Sequence, residues 1–298
     1  MTERNVSKIG KIGIDPDQIQ FPISTRPLLW GIACTLLISV ALRINTILSL
    51  GNMLYNAEVE SILLYSIVFA AQFTMGFVLV VLILPYLMSE PEMLHSLRSR
   101  VNPTRLLLAS GIVSGGIFLL IAAGVSNVLD IFFMDWNIIL AKPDVYVDPD
   151  VVGWYYFIFA LIPAIFEEIV FRGIILFQLR SKYSDRMAIL LSSVLFSLYH
   201  FSVILSRPID AVIGGVIMSF FYGLAWGSLV LQTNSILPSM IAHYIIDTFG
   251  FLFLNVEDVD PVVLTQFMLI ITILYPVIHW LVFRFIRGDT SPNNVNVG

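Results

Sequence analysis

The feature that most constrains this chain is a series of apolar stretches, each long enough to cross a lipid bilayer as a helix. Such a helix needs about 20 mostly apolar residues, and residues 106–129 contain no charged side chain. Charged residues make up 12% of the 298 residues, whereas soluble domains have about 25%. The mean hydropathy is +0.89. The sequence therefore excludes a soluble enzyme and a disordered chain, and it predicts a polytopic membrane protein.

Charge and cysteine content exclude further classes. The net charge of −5 gives no basic surface for a nucleic-acid partner. The single cysteine, Cys34, can form neither an internal disulfide nor a cysteine-ligated zinc site, and we expect it to serve packing. The first 26 residues are polar and contain no short apolar segment of a cleaved signal peptide, so we expect the first span to be an uncleaved anchor.

The predicted fold class is all-α, a polytopic bundle of about eight transmembrane helices. The candidate spans are 28–48, 62–88, 106–133, 152–179, 187–205, 211–232, 236–255 and 262–286. Lys and Arg orient such a bundle, because they collect on the cytosolic side. If the N-terminus is cytosolic, the loops and span ends on the cytosolic side contain twelve basic residues, and those on the outer side contain two. The cytosolic set is Arg4, Lys8, Lys11, Arg26, Arg98, Arg100, Arg105, Arg180, Lys182, Arg186, Arg284 and Arg287, and the outer set is Lys142 and Arg207. This asymmetry predicts that both termini are cytosolic.

The fourth predicted span carries three ionisable side chains, Glu167, Glu168 and Arg172. Each costs about 2.5–3.5 kcal/mol at the centre of a membrane helix, so this helix should face protein rather than lipid. Glu168 and Arg172 are four residues apart and can form an ion pair. Glu167 lies about 100° round the helix from Glu168 and about 140° from Arg172. Glu167 is therefore predicted to be the free carboxylate, available as general base or metal ligand.

Two further spans contribute polar side chains at helical spacing. The fifth contains Phe196 and His200, and the seventh contains His243 and Asp247. Measured from the inner ends of their helices, Glu167, His200 and His243 lie at about 18 Å, 20 Å and 11–12 Å. These depths overlap within the uncertainty of the span ends, so we expect one shared site. A capping or interhelical hydrogen-bonding role for each histidine taken alone is the competing interpretation.

The ordered set Glu-Glu-x-x-x-Arg, Phe-x-x-x-His and His-x-x-x-Asn/Asp resembles the CPBP family, which comprises type II CaaX prenyl proteases with their bacteriocin-processing and Abi relatives. The resemblance covers about residues 152–255, which would be a four-helix catalytic core. The rest of the predicted organisation is a cytosolic segment 1–26, three accessory helices within 27–151, a last helix within 256–287 and a cytosolic tail 288–298. The resemblance implies an intramembrane endopeptidase that opens to the cytosol and removes the last three residues after a prenylated cysteine.

The roles of individual residues follow from the resemblance. Glu167 and His200 would activate the attacking water, and Glu168 and Arg172 would support and orient them. His243 with Asp247 would stabilise the oxyanion or complete the site, and Phe196 would contact substrate. Asparagine at position 247 could donate a hydrogen bond to an oxyanion, whereas an ionised aspartate cannot. Asp247 would instead orient His243, ligate a metal, or act while protonated.

The sequence leaves the cofactor and the reaction class open. Glu167, His200 and His243 with an open position would form a catalytic zinc set, although no His-Glu-x-x-His motif is present. We favour a glutamate-activated water, with zinc as the alternative. A proton- or ion-coupled transporter, or a catalytically silent immunity or scaffold protein, is the competing function. The expected partners are the lipid bilayer and a protein or peptide substrate, in the cell membrane of a prokaryote or the endoplasmic reticulum of a eukaryote.

Overall fold

The computed structural model describes residues 26–47, 74, 76, 78, 104–133, 157, 160–202, 209–250 and 261–287. Within these residues the chain is helical and contains no strand, which confirms the predicted all-α class. The helices are α1 (Pro27–Ile47), α2 (Arg105–Phe133), α3 (160–180), α4 (Asp185–His200), α5 (Ile209–Thr233), α6 (237–250) and α7 (Pro261–Arg287). The segments Glu168–Ile175 of α3 and Ile246–Gly250 of α6 are π-helical.

The helix bounds follow the predicted spans closely where the chain is described. The predicted span 62–88 lies outside the described residues, apart from its three isolated positions. α4 ends at His200, five residues before the predicted end of that span, and a short 3₁₀ turn follows. The number of spans and the cytosolic location of both termini stay predictions.

Local sequence explains where the central helices begin. The hydroxyl of Ser184 accepts a hydrogen bond from the backbone N–H of Met187 at 3.4 Å, and Asp185 occupies the first turn of α4. Both features stabilise a helix N-terminus. Asn234 turns the chain between α5 and α6 with φ of 50°, a conformation that Asn tolerates better than most residues. Pro238 then stands in the first turn of α6, where its missing N–H costs nothing.

The outer surface of the bundle is apolar. Two helical segments, Arg105–Val125 and Val212–Thr233, are long and apolar enough to cross a membrane, and two shorter apolar segments are Pro27–Ala41 and Leu269–Phe285. Large side chains point outward from them, such as Leu120 at 75% exposure and Phe285 at 86%. A contiguous apolar exterior of this kind suits contact with lipid.

Glycines allow two pairs of helices to approach closely. A Cβ atom added at Gly115 of α2 would lie 2.8 Å from Ile245 of α6, and one at Gly223 of α5 would lie 2.8 Å from Ser193 of α4. Small residues let membrane helices pack backbone to backbone. These contacts pack α2 against α6 and α5 against α4. The segment of α3 from Ile174 to Leu176 is fully buried.

We expect Gly223→Ala to destabilise the protein by about 1–3 kcal/mol, because the new methyl group overpacks the contact with Ser193. The matched control is Gly215→Ala in the same helix, where an added Cβ meets nothing within 4 Å. The control should leave stability unchanged or raise it through better helix propensity. Unfolding midpoints in detergent micelles check both variants, and equal midpoints would contradict the close approach of α4 and α5.

Candidate active site

The two adjacent glutamates lie where α3 changes from α-helix to π-helix. Glu167 is the last α-helical residue, and the π-helix begins at Glu168. The Phe171 carbonyl accepts the N–H of Leu176 and also the hydroxyl of Ser192 on α4, at 3.0 Å. π-Helical turns occur often at functional sites. Here the turn presents the acidic pair to α4, α5 and α6 while its backbone stays tied to α4.

Glu168 and Arg172 form the predicted ion pair, with Arg172 Nη1 at 3.1 Å from Glu168 Oε1. Both side chains are buried, with 1% or less exposed. The contact lacks hydrogen-bond geometry, since Nη1 and Nη2 have no hydrogen-bond partner in the described part of the chain. The guanidinium carbon instead lies 4.0 Å above the Phe196 ring and 5.2 Å above the Trp226 ring. Cation–π contacts therefore help to compensate the buried charge.

His243 lies between three carboxylates. Its Nδ1 is 3.1 Å from Glu168 Oε1, and its Nε2 is 3.2 Å from Asp247 Oδ2 and 3.8 Å from Glu167 Oε2. A neutral imidazole has one N–H, so it can donate to only one of these partners. Two ionised neighbours at Nδ1 and Nε2 are satisfied together only by the imidazolium form. The arrangement therefore suits His243 as a charged hydrogen-bond donor.

Glu167 has a partner that the sequence interpretation did not include. The hydroxyl of Tyr199 donates to Glu167 Oε1 at 3.1 Å, and both residues are buried. As predicted, the arginine pairs with the neighbouring glutamate rather than with Glu167. The position of Tyr199 beside His200 in an apolar helix could have indicated this role, since a buried tyrosine needs a hydrogen-bond partner for its hydroxyl.

His200 lies at the end of α4 and is half-buried. Its Nδ1 is 2.9 Å from the Phe196 carbonyl oxygen, which can only accept, so Nδ1 carries the proton. This tautomer leaves the Nε2 lone pair of a neutral His200 available as a base. Within the described residues, no hydrogen bond joins His200 to the carboxylates.

Phe196 connects His200 with the buried charges. Its ring meets the His200 ring edge to face, with centroids 4.7 Å apart. The guanidinium of Arg172 lies over the same phenyl ring. Phe196 is only 1% exposed. A substrate contact for Phe196 stays a prediction; its contacts in the structure include His200, Arg172 and His243.

Trp226 of α5 is a second residue of the cluster that the sequence interpretation did not include. Its ring stacks on His243 with centroids 4.2 Å apart and an interplanar angle of 25°. It is 1% exposed. No spacing rule in the sequence connects Trp226 to His243, because the two residues lie on different helices.

Access to the cluster lies on the side of Asp247. Its side chain is 26% exposed, whereas those of Glu167, Glu168, Arg172 and His243 are at most 6% exposed. His200 is the other half-buried member. A substrate or a water molecule would therefore approach past Asp247 and His200.

The predicted zinc ligands do not fit a metal in this arrangement. Among the described residues, no group of three His, Cys, Asp or Glu side chains is arranged to hold a metal ion. The reason lies in His243, because both of its nitrogens face carboxylate oxygens at hydrogen-bond distance. A nitrogen that donates a hydrogen bond has no lone pair to offer a metal.

A buried cluster of acids, histidines and one arginine inside an apolar helical bundle indicates a functional site, since such groups are costly to keep in a membrane. Residues 149–249 match the family model of the type II CAAX prenyl endopeptidases, described as Rce1-like. The matched segment covers about a third of the 298 residues and carries all three motifs. The resemblance inferred from the motifs is thereby confirmed. No curated protein matches the chain.

Proposed function

We propose that this protein is an intramembrane endopeptidase that removes the C-terminal residues of prenylated or otherwise membrane-associated proteins. One observation carries the proposal: Glu167, Glu168 and Asp247 converge on His243 within 3.8 Å. All of these residues lie inside the segment that matches the CaaX endopeptidase family. The cluster combines carboxylates, a charged donor and a neutral imidazole, which are the groups that amide hydrolysis requires.

Glu167 and His200 are proposed to activate the attacking water. The water oxygen attacks the carbonyl carbon of the scissile bond while its proton passes to Glu167 or to Nε2 of His200. Tyr199 holds Glu167 Oε1 by a hydrogen bond, which fixes the orientation of the carboxylate. The C–N bond then breaks, and the leaving nitrogen takes up a proton from the same base.

His243 is proposed to stabilise the oxyanion of the tetrahedral intermediate through the positive charge of its imidazolium, since both of its N–H groups face carboxylates. Its Nε2 faces Asp247 and, at longer range, Glu167, so it points toward the most exposed part of the site. Asp247 and Glu168 hold the ring from its two nitrogens. This arrangement assigns Asp247 the orienting role, because an ionised carboxylate cannot itself donate to an oxyanion.

The setting favours a substrate that is already attached to the membrane. The site is enclosed by helices whose outer faces are apolar, so a substrate enters more readily if a lipid group holds it beside the bundle. A prenylated C-terminal peptide meets this condition. We propose that cleavage takes place on the cytosolic side, in accord with the predicted orientation.

The experiment that tests the proposal uses the purified chain in lipid vesicles with a fluorogenic farnesylated CaaX peptide. We expect cleavage of this peptide and much slower cleavage of the same peptide without the farnesyl group. Asp185→Asn is a suitable control variant, since Asp185 pairs with Arg180 on the surface and is 59% exposed. Failure to cleave any membrane-bound peptide would favour the transporter or scaffold alternatives.

Removal of metal ions should leave the activity unchanged. Water activation by Glu167 and His200 needs no metal, and the nitrogens of His243 are occupied by carboxylates. The measurement is the cleavage rate after dialysis against a chelator, with metal analysis of the same sample. Loss of activity that zinc restores would instead support the alternative ligand set of Glu167, His200 and His243.

A further inference from the structure

The ring stacked on His243 is itself held by a residue from the last helix. The indole Nε1–H of Trp226 donates to the hydroxyl oxygen of Tyr275 at 3.1 Å. Tyr275 belongs to α7 and is fully buried. An indole N–H can only donate, so the direction of this hydrogen bond is certain. Tyr275 therefore contacts the Trp226 ring from a helix outside the segment that matches the family.

A second buried hydrogen bond fixes the Tyr275 hydroxyl. The hydroxyl oxygen of Tyr275 lies 2.9 Å from Ser114 Oγ on α2, and Ser114 is also fully buried. The Tyr275 oxygen accepts the hydrogen bond from Trp226, so the O–H of Tyr275 is available to donate to Ser114. The result is a chain from Ser114 through Tyr275 to Trp226, with no exposed member.

The aromatic rings around Trp226 leave it little freedom. Tyr222 stacks near it with centroids 5.4 Å apart and an interplanar angle of 25°, and Phe118 meets Tyr275 edge to face at 5.7 Å. The ring of His243 also stacks on Trp226, with the ring centroids 4.2 Å apart. Stacking against an indole favours a cationic ring, which is the form of His243 that its carboxylate neighbours require.

From these contacts we infer that Tyr275 is a positioning residue of the active site, which acts on His243 through the Trp226 ring and is itself aligned by Ser114. The inference deepens the proposed function and rests on it. It makes α2 and α7 part of the catalytic apparatus, although both lie outside the segment 149–249 that matches the family. Buried polar networks of this kind fix a unique geometry when every member is satisfied.

The test compares Tyr275→Phe with Tyr222→Phe. Both variants lose one buried hydroxyl from the same aromatic cluster, but the indole nitrogen of Trp226 bonds to Tyr275. Loss of that acceptor leaves a buried N–H unsatisfied, so we expect kcat on the farnesylated peptide to fall about tenfold in Tyr275→Phe. KM should change by less than about twofold, because the contact orients a group that acts in the transition state. Tyr222→Phe should keep both constants.

A double-mutant cycle separates positioning from general packing. Trp226→Phe keeps an aromatic ring but removes the N–H, so Tyr275→Phe should have no further effect on kcat in that background. The indole ¹⁵N resonance of Trp226 gives a readout that needs no activity; it should shift in Tyr275→Phe and stay in place in Tyr222→Phe. Additive effects on kcat, or equal losses in both tyrosine variants, would overturn the inference. An active wild type with an unaffected Tyr275→Phe would overturn it and leave the proposed function standing.

Discussion

Glu167→Gln should reduce the cleavage rate of a farnesylated CaaX peptide by about 10²–10⁴-fold, the usual contribution of a general base. In the wild type the Tyr199 hydroxyl donates to Glu167 Oε1. Gln has the same shape and still offers an oxygen that can accept this hydrogen bond. The substitution therefore removes the basic group and little else. The measurement is the initial rate at saturating peptide, with the folded fraction checked by size-exclusion chromatography.

The control for Glu167→Gln is Asp185→Asn, which removes a carboxylate charge from the exposed pair with Arg180. It should cleave the peptide at the wild-type rate. His200→Ala should be impaired in the same sense as Glu167→Gln, since the two residues are proposed to share the proton of the attacking water. A Glu167→Gln variant with an almost unchanged rate would remove Glu167 from the mechanism.

Arg172→Met should lower the free energy of unfolding by about 3–5 kcal/mol, because it breaks a buried ion pair. It leaves Glu168 fully buried without the guanidinium that now lies 3.1 Å away. His243 is then the remaining cationic partner of that carboxylate. Reversible unfolding in mixed detergent micelles gives the free energy.

Two further variants show whether the loss comes from an uncompensated charge. The double variant Glu168→Gln/Arg172→Met should recover much of the stability lost in Arg172→Met, because it leaves no unpaired charge. Arg180→Met breaks a pair with partners 36% and 59% exposed and should cost only about 0–1 kcal/mol. If Arg172→Met and Arg180→Met were equally mild, the buried ion pair would not hold the site together.

Two side-chain pairs of the candidate site could be predicted because their residues stand out against an apolar background. Glu168 and Arg172 share a helical face at a spacing of four residues, and the structure shows the pair. His243 and Asp247 have the same spacing and also meet. In each case the partners lie on one helix, so local geometry was enough.

The contacts between helices could not be predicted from residue spacing within one helix. Tyr199 and Trp226 look like ordinary aromatic residues of membrane helices, and their roles depend on how α3, α4, α5 and α6 pack. The same holds for Tyr275, which only the packing of α7 brings to the indole nitrogen. The π-helical turns at Glu168 and Ile246 also have no signature in the apolar periodicity.

If the cluster around His243 hydrolyses a peptide bond with water, the masses of the two products reveal where the oxygen of that water ends. Wild-type protein would be incubated with a farnesylated CaaX peptide in water enriched in heavy oxygen, and both fragments would be analysed by mass spectrometry. We expect a released C-terminal tripeptide without the label and a farnesyl-cysteine carboxylate that carries it. An intact peptide, a cut at another bond or an unlabelled carboxylate would contradict it.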